Sequence, residues 1–64
     1  MKIDRKKVDA AMAANGVTPK IVAEKLGIRP QELSVLWSGK RESRVSTVTR
    51  LADAIRVNIE DITV

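Results

Sequence analysis

The cationic side chains are the residues of this chain best equipped to do chemistry, and that chemistry would be recognition of a polyanion; the plainer reading is the few spare lysines that small soluble domains often carry. Twelve Lys and Arg face eight Asp and Glu, a formal net charge of +4, and the sequence pI is about 10.0. The balance is uneven. Residues 1–50 hold eleven basic and five acidic side chains, whereas residues 51–64 hold Arg56 against Asp53, Glu60 and Asp61. A basic body with an acidic end suits a protein that turns one side to a polyanion and another away from it. Other chemistry is narrowly bounded. There is no Cys and no His, which excludes a Cys/His zinc site, a disulfide framework, a thiol nucleophile and a His-based triad. The carboxylates form no pair spaced for acid–base work, and no Gly-rich phosphate loop is present. The expectation is a non-enzyme, with no catalytic residue, metal or cofactor.

These residues need elements to position them. At 44% hydrophobic and 31% charged the chain has the character of a folded domain. No apolar run approaches the ~18 residues of a membrane span, and the charged start Met1-Lys2-Ile3-Asp4-Arg5-Lys6-Lys7 does not read as a signal peptide. The expected location is cytoplasmic and nucleoid-associated. No strict apolar/polar alternation marks a strand. Helical spacing recurs instead. Ile3, Val8, Ala11 and Met12 share one side of a first helix that starts near Asp4 and leaves at Asn15-Gly16. Thr18 and Pro19 are the cap and first position of a second, with Val22, Ala23 and Leu26 inward and Gly27 at its end. Pro30 opens a third with Leu33, Leu36 and Trp37 inward, ended by Gly39. Ser46 is read as the cap of a fourth, with Val48, Leu51, Ala52 and Ile55 inward. Asn58 starts a short turn bearing Ile59 and Ile62. The fold expected is all-α, a compact bundle of four to five short helices forming one domain over residues 1–64.

Residues 18–39 carry the informative arrangement. Two short helices are joined by Gly27-Ile28-Arg29, the spacing of a helix-turn-helix. Gly27 suits the positive φ of the bend, Ala23 a close crossing, and Ile28 an inward plug. The run Val22-Ala23-Glu24-Lys25-Leu26-Gly27-Ile28, then Leu33, Leu36 and Ser38-Gly39-Lys40, then Leu51-Ala52-Asp53-Ala54-Ile55 resembles the lambda-repressor-like, Cro/CI-type (XRE-family) helix-turn-helix domains. The resemblance spans roughly residues 5–63. It implies a domain that binds operator DNA, in most members as a dimer, and regulates transcription in bacteria, phages or mobile elements.

Carried over by position, the resemblance makes the third helix the recognition helix. Arg29, Gln31, Ser34 and Val35 would then read bases in the major groove, Gln31 pairing with adenine, Arg29 with guanine or a phosphate, and Val35 with a thymine methyl. Thr18 and Lys20 at the start of the second helix would face the DNA backbone, as would Ser38, Lys40, Arg41 and Arg44 after the third. Each assignment has a plainer counterpart. Gln31 and Ser34 also fit a solvated helix face, Val35 the edge of the core, and residues 40–44 a solvated turn. Lys2, Arg5, Lys6 and Lys7 form either an arm toward the backbone or a frayed terminus.

Several residues depart from the family's pattern. Met12 and Trp37 stand where many members carry a buried Arg–Glu pair, and the expectation is that Met12 packs on Trp37 in the core. Arg29 replaces the customary Ser or Thr cap, Pro19 a common Gln, and Arg56 the Gly after the fourth helix. Ile21 points away from the inward stripe. The expected partner is a pseudo-palindromic double-stranded operator, bound by a homodimer joined through Val57, Ile59, Ile62 and Val64. The function expected is a sequence-specific transcriptional regulator, by preference a repressor. The alternative is an antitoxin-like or anti-repressor interaction module that keeps the fold.

Overall fold

The computed structural model describes residues 1–38 and 42–64. Four α-helices follow in chain order: α1 (Arg5–Asn15), α2 (Pro19–Leu26), α3 (Pro30–Leu36) and α4 (Val45–Ile55), and then a 3-10 turn at Ile59–Asp61. The described residues are all-α, with two isolated bridges as the only extended pairing among them, Lys2 with Glu42 and Ile3 with Thr63.

The helix limits follow from local chemistry. Asp4 Oδ1 accepts from the Lys6 and Lys7 N–H groups, which frees α1 of two orphan donors. Thr18 Oγ1 accepts from Ile21 N–H at 3.3 Å, and Pro19 follows at the first position of α2. Gly16 and Gly27 close α1 and α2 in the left-handed conformation, at φ +64° and +69°. The start of α4 corrects the sequence expectation. Arg44, not Ser46, is its N-cap, and Ser46 lies inside the first turn. The reason lies upstream: Ser43 N–H donates to the Met1 carbonyl at 2.7 Å. That pairing ends the extended segment at Ser43, and the helical ladder begins at once with Val48 N–H to the Arg44 carbonyl at 3.0 Å.

One core cluster joins all the elements. It contains Ile3, Val8, Met12, Val22, Ala23, Leu33, Trp37, Val48, Leu51, Ala52, Ala54, Ile55 and Ile62. Met12 and Trp37 both lie in it, as the replacement of a buried ion pair by an apolar one requires. Ile62 is completely buried, which corrects its assignment to a dimer surface. The chain after α4 turns back, Asp4 N–H donates to the Ile62 carbonyl at 2.8 Å, and the side chain fills this protein's own core. Val57 and Ile59 are half-buried, and Val64 is exposed. The N-terminus is not frayed. Residues 1–3 lie between residues 42–43 and 63–64, tied to both by backbone hydrogen bonds.

Candidate nucleic-acid interface

The α2–α3 unit presents a helix anchored on one side and bare on the other. Ala23, 3% exposed, leaves room for the two helices to approach. Ile28 N–H donates to the Ala23 carbonyl at 3.0 Å across the Gly27 bend, and the Ile28 side chain packs against the core. Leu33 and Trp37 pin α3 at 1% and 2% exposure. Given roughly 100° of rotation per residue, Gln31, Ser34 and Val35 fall within an arc of about 100° opposite those anchors. All three are exposed, as is Ser38 beyond the helix end. Val35 is 62% exposed, so it is not an extension of the core. Ser38 Oγ donates to the Val35 carbonyl at 3.1 Å and so helps to close the helix end.

Arg29 is the N-cap of α3, exposed, and its side chain makes no capping hydrogen bond. A guanidinium has donors only, so it cannot cap the helix and its donors remain for another acceptor. Lys20 on α2 and Arg44 before α4 are likewise exposed, with no ion pair to described residues. Thr18 uses an oxygen lone pair to cap α2, and its O–H remains a donor. Lys40 and Arg41 lie outside the described residues, and the expected end of α3 at Gly39 is corrected: the helix stops at Leu36, with Trp37 as its C-cap.

Other cations, though exposed, are engaged by this protein's own acceptors, and type or spacing did not distinguish them. Lys7 Nζ donates to the Thr63 carbonyl at 2.9 Å. Lys25 Nζ and Asn15 Nδ2 donate to the carbonyls of Ala54 and Ile55, at 3.4 and 2.8 Å, where the C-terminus of α4 gathers negative dipole charge. Arg50 reaches the Leu26 carbonyl at the end of α2, at 3.3 Å. Arg5 pairs with Asp9 at 3.0 Å and lies 5.0 Å from the centre of the Trp37 ring. The indole Nε1 of Trp37 is buried and has no hydrogen-bond partner among the described residues. The Met1 ammonium group lies 2.8 Å from Glu42. That hydrogen-bonded contact, with a smaller pull from Lys2, holds the Glu42 carboxyl below its ordinary value. Among the described residues, no helix is long and apolar enough to cross a membrane.

An exposed polar and apolar face on α3, with exposed cations on α2 and before α4 that make no ion pair to described residues, matches the chemistry of DNA grooves. Polar groups pair with base edges, an apolar group meets a methyl, and cations meet phosphates. The family model of the Cro/C1-type helix-turn-helix DNA-binding domain matches residues 7–64. No curated protein and no solved structure matches the chain significantly.

Proposed function

The chain belongs to the Cro/C1-type helix-turn-helix DNA-binding family, and on that premise we propose that it is a sequence-specific regulator of transcription, acting by repression. In this reading residues 1–64 are one DNA-binding domain without catalytic activity, in the cytoplasm of a bacterium or of a phage's or mobile element's host. α3 enters the major groove. Gln31 and Ser34 read base edges, Val35 meets a thymine methyl, and Arg29 pairs with guanine at the entry of the helix. Thr18 and Lys20 hold one stretch of backbone, and Ser38, Lys40, Arg41 and Arg44 hold another.

The observation that carries the reading is the two-sidedness of α3. Leu33 and Trp37 bury one side almost completely, while Gln31, Ser34 and Val35 stand exposed on the other. Val35, 62% exposed beside Ser34 on this face, has the apolar surface to meet a thymine methyl group. Two copies joined through Val57, Ile59 and Val64 would bind a pseudo-palindromic site, with half-sites about one helical turn apart.

Substitution separates the base readers from the backbone grips. Gln31→Ala should relax preference at one base pair per half-site, a loss of about 1–3 kcal/mol in discrimination. Lys20→Ala should weaken every duplex alike and lower the salt slope by about one contact. Unchanged preference after Gln31→Ala would remove α3 from the role of reader.

A further inference from the structure

The connection from α3 to α4 is held at both of its described ends by the first five residues. At the near end the Arg5 guanidinium lies 5.0 Å from the centre of the ring of Trp37, the residue that closes α3. Arg5 Nε also donates to Asp9 Oδ1 at 3.0 Å, which fixes the guanidinium on α1. At the far end the Ser43 N–H donates to the Met1 carbonyl at 2.7 Å. The Met1 ammonium group donates back to the Ser43 carbonyl at 2.9 Å and pairs with Glu42 at 2.8 Å. Behind these contacts the segment is anchored in the core. Ile3 is 1% exposed, Asp4 N–H donates to the Ile62 carbonyl at 2.8 Å, and Val64 N–H donates to the Lys2 carbonyl at 2.9 Å.

α3 needs such a hold. It has seven residues, too few for an isolated helix to persist in water. Arg29 gives it no side-chain cap, and Trp37 at its end is neither Gly nor left-handed. Its backbone packs closely on α2 alone among the helices. The segment that follows carries Ser38 and Arg44, two of the backbone grips proposed above, with Lys40 and Arg41 between them.

We propose that residues 1–5 are a strap that positions the α3–α4 connection for DNA, and that they do not themselves contact phosphate. The proposal rests on the reading of α3 as the DNA-facing helix. The orientation of Arg5 toward Trp37 and Asp9 argues against an arm on the DNA, because that cation is already held by protein.

The test compares wild type with Arg5→Met, Glu42→Gln and Lys2→Gln in the full chain. Affinity for a selected duplex is measured over a range of salt, and amide exchange of Ser43 is followed in the free protein. The strap predicts several-fold weaker binding for Arg5→Met and Glu42→Gln, with the base preference and the salt slope unchanged. It predicts faster Ser43 exchange in Glu42→Gln, and a shifted Trp37 emission in Arg5→Met. Lys2→Gln should match wild type in affinity and slope. A slope lowered by about one contact for Arg5→Met or Lys2→Gln would make the segment a phosphate arm and overturn the proposal. Unchanged affinity in both strap variants would overturn it equally. If wild type itself selects no duplex, the proposed function fails separately. Ser43 exchange then decides the strap: faster in Glu42→Gln supports it, and unchanged rejects it.

Discussion

Arg56 sits at φ +68°, the one described non-glycine residue in the left-handed region. It closes α4, where its N–H donates to the Asp53 carbonyl at 3.2 Å. A side chain with a Cβ is strained there by roughly 1–2 kcal/mol, and Gly is not. Arg56→Gly should therefore stabilise the fold by about 1 kcal/mol, less what Gly adds to the freedom of the unfolded chain. For a domain of this size each 1 kcal/mol raises the thermal midpoint by roughly 4–8 °C, so the net rise should be a few degrees. A fall of similar size would show that the guanidinium contributes more than its backbone costs. Trp37 poses a different question. Its indole N–H is buried without a partner among the described residues, and an orphan of that kind costs about 1–3 kcal/mol. Trp37→Phe removes the orphan and keeps most of the buried ring, so chemical denaturation should find a change within ~1 kcal/mol, well short of the ~3–5 of a truncation to Ala. The place of Trp37 in the core was legible from the sequence, because Met12 and Trp37 together replace an ion pair. Its orphaned N–H and the Arg5 guanidinium over its ring were not, because tertiary packing sets side-chain direction and spacing does not.

Helices α1 and α2 and the start of α3 were legible almost to the residue, because each carries its own punctuation, whereas α3 ends at Leu36, short of the expected Gly39. Asp4, Thr18 and Pro30 mark starts, and Gly16 and Gly27 mark ends. The Thr18 cap has a measurable worth: Thr18→Ala should cost about 1 kcal/mol in stability by denaturation, and no cost would mean that Pro19 alone sets the start of α2. The start of α4 was legible only approximately. Ser46 has the better capping side chain, yet the pairing of Ser43 with Met1 starts the helix earlier, at Arg44. The same long-range pairing hid the N-terminal strap, since bridges of one residue leave no periodicity to read. The return of the chain at Ile62 was hidden for a related reason. An apolar residue near an exposed end fits an interface or a core equally, and only the bond from Asp4 decides between them.

At the scale of the whole molecule the net charge of +4 overstates in one way, and understates in another, what DNA would meet. Lys7, Lys25 and Arg50 donate to backbone carbonyls, whereas Lys20, Arg29 and Arg44 have no such bond to described residues, though all six are exposed. With Lys40 and Arg41 this gives roughly four to five neutralised phosphates per copy, so log affinity should fall with log salt at a slope near −4 per copy. A slope near −1 would disperse the proposed grips. Acid acts on the fold through Glu42. Its carboxyl is lowered by the Met1 ammonium group, so its contribution is present above the unfolded value and is lost as pH falls through the folded one. Thermal midpoints of wild type and Glu42→Gln should thus stand apart at neutral pH and converge in acid, and a constant gap would mean that the pair is not its source.

The most direct test of the central claim, that α3 reads sequence, is selection from a random duplex pool at roughly physiological salt, followed by sequencing of the bound fraction. An α3 that reads sequence should yield an enriched motif of two-fold symmetry, its half-sites about one helical turn apart. Retention that depends on salt with no enriched motif would contradict it, and would leave the exposed face of α3 without a base to read.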